Sequence, residues 1–397
     1  MRPQAPGHTD IVLIGGGHAH VHVLRSFGMR PEPGVRVTLI TRDLQTPYSG
    51  MLPGVVAGLY SVEQAHIDLV RLAAATGTRL IHAEAVGLDR NAKRILLAGQ
   101  APVGYDLTSI DVGITPALDS IRGAATHAIA VKPIGSFLDK FNRLLVDCRH
   151  PSGPRRIAVI GGGAGGVELI LSLCTRIRQE AGKAKQNPGD FSFLLVTDGE
   201  ILRTHNACVR RTFRRVFESR GVALHENRPA VAVHEGAIEL ADGTSLDADL
   251  ILVTTSAAPP AWFAQTGLAL DAGGFLAVRA TLQSENDADV FAAGDCAAIT
   301  GNPREKAGVF AVRAGPPLSD NLRRRAAGRS LKDWRPQRRH LALISTGERY
   351  AIASRGWFKA EGRWVWILKD WIDRRWMRMY QEPERMSGAA DDGGGRH

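Results

Sequence analysis

Apolar residues along this chain gather in short runs that stop at glycine. Asp10–Ile14 (DIVLI) is a β-branched and leucine run entering Gly15-Gly16-Gly17, followed by a helical-looking stretch from His18 to Phe27. Arg156–Ile160 (RIAVI) repeats the design, entering Gly161-Gly162-Gly163 before a second helical pattern that opens AGGVELI. A further β-like run follows each, Val35–Thr41 (VRVTLIT) and Phe191–Thr197 (FSFLLVT). Short apolar runs bounded by turn residues read as buried strands. Strands alternating with helices argue for βαβ units and parallel sheets. The two units lie 146 positions apart, Gly15 to Gly161, which predicts two separate nucleotide-binding domains.

The intervening segments follow a different pattern. Arg79–Gly123 and Val222–Asp249 carry short apolar runs broken by glycine, proline and aspartate, and read as small antiparallel strands, with a turn at Asp242-Gly243. A buried strand is expected at Leu250–Thr255, a strand and turn at Ala288–Cys296, and a helix from about Ala307. From Leu331 onward the chain holds six of its seven tryptophans. There Trp364–Tyr380 places Val365, Leu368, Ile372, Trp376 and Met379 on one helical stripe, with Lys369, Asp370, Asp373 and Arg374 opposite. The last dozen residues, ending DDGGGRH, are expected to be disordered.

Composition narrows the function classes. At about 150 residues per domain, 397 residues make two or three domains. With 44% hydrophobic and 23% charged residues, the chain is neither disordered nor collagen-like, and no apolar run nears the roughly 18 residues of a membrane span. The N-terminus does not read as a signal peptide. A net charge of +10 suits anionic partners, yet no nucleic-acid motif accompanies it. Cys148, Cys174, Cys208 and Cys296 are too dispersed for a zinc site or a redox dithiol. Reduced cysteines, no metal and a cytoplasmic location are the expectation.

The glycine turns carry the chemistry. Gly161, Gly163 and Gly166 satisfy GxGxxG. The first glycine permits the tight turn, the second admits a pyrophosphate to the backbone N–H groups, and the third lets helix and strand pack closely. The helix N-terminus adds the positive end of a dipole. In the first turn Gly15 and Gly17 fit, but His20 stands where the third glycine belongs. His18 and His20 either contact phosphate or simply occupy their positions. Asp198 follows the second unit's next strand and favours NADH, because a carboxylate repels a 2′-phosphate, while nearby Arg203 leaves NADPH open.

Five pieces in the right order, IVLIGGGHAH, YSGMLPG (Tyr48–Gly54), YD (Tyr105-Asp106), VIGGGAGGVEL and VFAAGDCA (Val290–Ala297), make the chain resemble a flavoprotein of the pyridine nucleotide-disulfide oxidoreductase class. The resemblance covers about residues 9–380. It points to the branch of type II NADH dehydrogenases and sulfide:quinone oxidoreductases. GGGHAH, TPYSGMLPG, KAGVFAVRAGP and WILKDWIDRRWM are similar to a narrower group, also found fused N-terminal to selenophosphate synthetase.

That resemblance implies that the first turn holds FAD, with Asp295 after Gly294 bonding the flavin ribityl or phosphate. It implies that Tyr48–Pro53 lines the isoalloxazine, that Lys306–Ala311 approaches its pyrimidine end, and that Glu168 lies near the nicotinamide. The candidate catalytic residues are thus Glu168, Lys306 and Tyr48. Where relatives carry ATG, this chain has Asp111-Val112-Gly113 and Thr254-Thr255-Ser256, which can shift the cofactor-contacting loops. The CxxxxC of the disulfide reductases is absent, so the flavin itself must carry electrons to the acceptor.

The expected architecture is α/β, with two Rossmann-like domains and a small C-terminal module. An FAD domain (8–118 and 272–335) is interrupted by an NAD(P)H domain (119–271), and a Trp-rich module (336–397) follows. The expected reaction is hydride transfer from NAD(P)H to FAD and onward to a quinone. Alternatives are a reductase of selenium or sulfur compounds and a flavin-binding redox sensor. Trp364–Tyr380 either meets the inner face of a membrane or packs on its own domain or a dimer partner.

Overall fold

The computed structural model describes residues 8–116, 118–254 and 257–382. The expected disorder of the last dozen residues, and Thr255-Ser256 of the second departure, lie outside the described residues.

Two sheets built on parallel strands organise the molecule, the first with an antiparallel strand, Gln283–Ser284, toward one edge. In the first, Thr9–Ile14 runs between Val35–Thr41 and Leu107–Ile110, parallel to both. Arg79–His82 extends one side and Asp287–Ala292 the other, again in parallel. Ile11 and Leu13 are fully enclosed, which is why the run reads as continuously apolar instead of alternating. In the second sheet Arg156–Ile160 lies between Ser192–Val196 and Leu250–Val253, flanked by Val222–His225 and Ile129–Ala130, all parallel.

Each sheet carries a three-stranded antiparallel excursion. Ala85–Asp89, Arg94–Leu97 and Gln100–Gly104 form one, and Ala230–His234, Ala237–Leu240 and Ser245–Asp247 the other. The Asp242-Gly243 turn lies in the second, with Gly243 at φ +81°. The ends of the two segments expected to be antiparallel differ from that expectation. Arg79–His82, Leu107–Ile110 and Val222–His225 join the parallel sheets instead of the antiparallel excursions. Four-residue strands are too short to distinguish the two settings by alternation.

Four helices position the site. Helix α1 (His18–Met29) follows the first glycine turn and α2 (Ala164–Lys183) the second. Helix α3 (Gly308–Ala326) lies on α1 so closely that a Cβ on Gly315 would come within 2.6 Å of the His22 Cβ. Arg323, buried near the end of α3, pairs with Glu32 at 2.8 Å and stacks 4.0 Å over Phe27, locking the two helices at their far ends.

The C-terminal part is a three-stranded antiparallel sheet (Ala342–Ser345, Ala351–Arg355, Phe358–Gly362) leading into α4 (Arg363–Gln381). The expected faces of α4 need correcting. Val365 and Trp376 point inward as expected, but Ile372 and Met379 are exposed and Lys369 and Asp373 are buried. An internal ion pair between Lys369 Nζ and Asp373 Oδ2 at 2.7 Å lets the charged residues turn inward. The outer stripe is instead Trp364, Ile367, Trp371 and Ile372 with Arg363, Arg375 and Arg378, and no acidic residue shares it. Among the described residues, no helix is long and apolar enough to cross a membrane.

Candidate functional site

A cleft of about 900 Å³ runs along the carboxyl ends of the first parallel sheet. It extends from Thr41–Asp43 and His82–Glu84, past Gly15–His18 and Asp111–Ile114, to Thr46, Ser49, Lys132, Asp295 and the start of α3 at Gly308 and Ala311. Ligands of open α/β sheets bind in this position.

Gly15 has φ +91°, and a Cβ there would collide with the backbone of Asp111. Helix α1 begins without a cap from its own first residues. The cap comes from across the sheet: Asp111 Oδ2 accepts from Ala19 N at 2.9 Å and His20 N at 3.3 Å. Its carboxyl also lies against Gly17 and Gly294, where a Cβ would strike it. Burial, with Asp295 adding to it, pushes the Asp111 carboxyl up to about 7 against the pull of those two N–H bonds.

The two histidines of the turn part company. His20 is fully buried behind the loop. Its Nδ1 lies 2.7 Å from Gly15 O, which can only accept, so Nδ1 carries the proton and Nε2 accepts from the Ser109 hydroxyl at 2.9 Å. His20 therefore takes up the space of the missing glycine as a neutral brace, and its ring does not face the cleft. Of the two readings of His20, phosphate contact or simple occupancy of its position, this placement fits the second. His18 lines the cleft, half-buried, with its Nε2 enclosed and unpartnered. Burial lowers the His18 imidazole to about 4, so that ring too is neutral.

The opposite wall is the turn Gly294–Cys296. Gly294 has φ +72°, and Asp295 Oδ2 accepts from Lys132 Nζ at 3.1 Å. Lys306 lies outside the cleft, donating to Ala297 O at 2.7 Å while its ammonium rests 3.9 Å over the Phe275 ring. It braces the Asp295 turn and does not itself line the cleft, whereas Gly308 and Ala311 of the same expected segment do. Pro53, in the short helix Leu52–Val56, is buried and does not line the cleft either. Pro47 and Ser49 do.

Tyr48 faces away from the cleft floor, its ring stacked 4.4 Å from Trp376 of α4 and 5.6 Å from His18. Around it gather groups from four parts of the chain. Lys369 Nζ donates to Gly50 O and to Asp373 Oδ2, each at 2.7 Å. Burial alone would lower the Lys369 ammonium, but Asp373 and Glu168 outweigh it and hold it above its ordinary value. Glu168, in the second turn of α2, is itself raised by burial against the pull of Lys369, and accepts from Ser345 N at 2.7 Å. Glu168, Tyr48 and α4 are thus brought to one place.

The second glycine turn is open. Gly161 has φ +129°, and Gly166 packs so closely on Gly161 that a Cβ would clash with its carbonyl. A Cβ on Gly163 would meet nothing within 4 Å, and α2 starts there without a side-chain cap. Its donors face free space. Leu202 N bonds Gly162 O at 2.7 Å, which brings the loop after Asp198 onto the turn, with Asp198 exposed.

Sequence reasoning missed Lys132, the burial of Lys369 and Asp373, and the weight of Asp111. The only signal for Asp111 was its replacement of the usual small residue after the strand Leu107–Ile110. Cys148, Cys174 and Cys296 are buried and Cys208 is exposed, all free. Among the described residues, no cluster that could hold a metal ion occurs.

Two parallel-sheet nucleotide folds, each opened by a glycine turn at the start of a helix, define a two-dinucleotide oxidoreductase. The chain belongs to the pyridine nucleotide-disulphide oxidoreductase family, which it matches over residues 9–315. It is an FAD-dependent NAD(P)H oxidoreductase. The NADH oxidase of Enterococcus faecalis is 23% identical over 334 residues, covering 79% of this chain and 70% of that one. The sulfide:quinone oxidoreductase of Aquifex aeolicus superposes with a TM-score of 0.77 at 16% identity, over 98% of this chain and 96% of the other. NDH2 of Plasmodium falciparum in complex with NADH superposes with 0.78 at 15% identity, over 95% and 98%. The cradle fits FAD on its own chemistry. Close backbone at Gly15 and Gly16, the unpartnered His18 Nε2 and the Lys132–Asp295 pair offer donors and acceptors along an extended cleft.

Proposed function

We propose that this chain passes electrons from NAD(P)H to a quinone, using the 900 Å³ cleft for FAD and the open second turn for the nicotinamide dinucleotide. The FAD domain would comprise 8–118 and 272–335, and the NAD(P)H domain 119–271. When bound, FAD accepts hydride and returns electrons singly or in pairs. The protein's part is placement. Gly15 and Gly17 admit the flavin pyrophosphate, His18 offers it a ring nitrogen, and Asp295, held by Lys132, accepts from a flavin hydroxyl. Gly161, Gly163 and Gly166 hold the donor's pyrophosphate, with exposed Asp198 favouring NADH over NADPH. Half-buried Glu168 and buried Lys369, beside Tyr48, can hold or move a proton at the inner end of α4.

The observation that carries the quinone reading is α4. Its inner face stacks Trp376 on Tyr48, and its outer face presents Trp364, Ile367 and Trp371 among arginines. An apolar, aromatic and basic outer stripe suits the interface of an anionic membrane, where quinones dissolve. No described cysteine pairs with another to relay electrons or sulfur. Two of the structural neighbours are named for a quinone or as NDH2, which agrees with this reading.

Anaerobic turnover with NADH decides the acceptor, comparing a short-chain quinone with selenite and polysulfide. Faster reoxidation by quinone, and flotation of the protein with anionic vesicles at low salt only, is expected. Reoxidation by selenite or polysulfide alone would move the function to reduction of those compounds.

A further inference from the structure

The cleft contains a carboxyl at a place where negative charge has to arrive. Asp111 reaches from the end of the strand Leu107–Ile110 into the first turn of α1, where its Oδ2 takes two N–H donors, Ala19 and His20. It is wedged between Gly17 and Gly294, the glycines of the two loops that face each other across the cleft. A second observation points to a ligand here: the buried His18 Nε2, one residue from those donors, has no partner and lines the same cleft. Helix N-termini attract anions, and a carboxylate already lodged there competes with a phosphate for donors and repels its charge.

We propose that Asp111 couples FAD binding to a proton: its carboxyl is protonated when the flavin pyrophosphate occupies the cleft, and its ionisation releases the cofactor. The inference rests on the cleft being the FAD site. Protonated, Asp111 adds no charge and its O–H can donate to a phosphate oxygen. Ionised, it places a third negative charge beside the two of the pyrophosphate, in a site that already holds Asp295.

The surroundings leave Asp111 as the group that changes charge near neutrality. From α1, His18 and His20 are both lowered to about 4 by burial, and so are neutral well below pH 7. From the Gly294–Cys296 turn, the Cys296 thiol is pushed up by burial and by Asp111 itself, and Asp295 is engaged by Lys132. Lys306 is lowered by burial, but it lies behind that turn and bonds Ala297 O. Asp111 stands at about 7, raised by burial.

The test dilutes holoenzyme into buffers from pH 6 to 8.5 and reads the fluorescence of released FAD to obtain its dissociation constant. A group at about 7 that must be protonated in the complex weakens binding about thirtyfold across that range. Asp111→Asn, a neutral side chain of the same shape, should hold FAD with less than about threefold change. Calorimetric addition of FAD to partly depleted wild-type protein in two buffers of different ionisation heat supplies a readout independent of any variant. Uptake of about three quarters of a proton per FAD at pH 7.5 is expected.

A flat wild-type profile, no proton uptake, or a thirtyfold slope retained in Asp111→Asn overturns the proposal. Asp295→Ala separates the underlying reading. If it loosens FAD at every pH, the cleft is the flavin site whatever the proton result. If it leaves FAD affinity unchanged, the cleft assignment itself fails.

Discussion

The two glycine turns of this protein share a sequence design and differ in what closes them. At the second, Gly166 packs on Gly161 with no side chain between, and the space in front of Gly163 is empty. At the first, His20 replaces the packing glycine and Asp111 fills the helix mouth. A Rossmann turn therefore tolerates a large residue at its third position when that residue's polar atoms are satisfied internally. His20 achieves this with Gly15 O on one side and Ser109 on the other. On the proposed assignment, the turn that must release its dinucleotide in each cycle is the open one, and the turn that would retain its cofactor is built into a denser polar network.

The largest expected effect probes the open turn. Gly163→Val adds a side chain into empty space, and Gly163 has φ −70°, so the fold should tolerate it. Anaerobic reduction of the flavin by NADH should fall by at least 100-fold with FAD still bound. Reduction at the wild-type rate would show that this turn does not hold the donor. At the first turn, Asp295→Ala removes an acceptor and leaves Lys132 without its partner. Losing one buried hydrogen bond to a charged group costs about 1.5–3 kcal/mol, or about 10- to 100-fold in FAD affinity, measured by flavin release.

The internal network of the first turn is tested by His20→Ala. It strands Gly15 O and the Ser109 hydroxyl and opens a cavity, for a loss of roughly 2–4 kcal/mol in unfolding free energy. The equivalent change at the second turn, Gly166→Ala, forces a Cβ onto the Gly161 carbonyl and should disturb NADH binding before FAD binding.

A further expected effect is on pH dependence. His18, His20 and His22 are each lowered to about 4 by burial, below the 6.5 of an exposed imidazole. The folded state then binds fewer protons than the unfolded chain between pH 6.5 and 4. Stability is complete above 6.5 and is lost as pH falls through that window, by up to about 3 kcal/mol per ring. Asp111 acts in the opposite sense. Raised to about 7, it favours folding at low pH and loses that contribution as pH rises from about 4 to 7. Thermal unfolding should therefore show a steeper acid loss in Asp111→Asn than in wild type. Identical slopes would remove Asp111 as an opposing group.

The same contrast marks what could be read from the chain. Both glycine turns, the helices after them and the central strands were legible, because an apolar run ending at Gly-x-Gly is local information. So was the class of cofactor, since backbone approach to a pyrophosphate requires those glycines wherever the rest of the chain goes. Lys306 and Pro53 were placed at the cofactor by position in a motif, whereas their side chains turn to Ala297 O and into a short helix. The buried face of α4 differs from its apolar stripe for a related reason. Periodicity gives a face but not which way it points, and the Lys369–Asp373 pair makes a charged face the buried one.

What the sequence by itself determined is the set of local devices: two strand–glycine–helix turns, a positive-φ glycine before Asp295, and a C-terminal helix rich in tryptophan. What only the tertiary structure decided is how distant residues complete them. Asp111 caps a helix that begins 93 positions earlier, Lys132 holds Asp295 from 163 positions away, and Lys369 bonds Gly50 across 319. Such contacts depend on sheet order and helix packing, and a buried charge is stable only where they supply its partner. No local pattern in the chain encodes that partner.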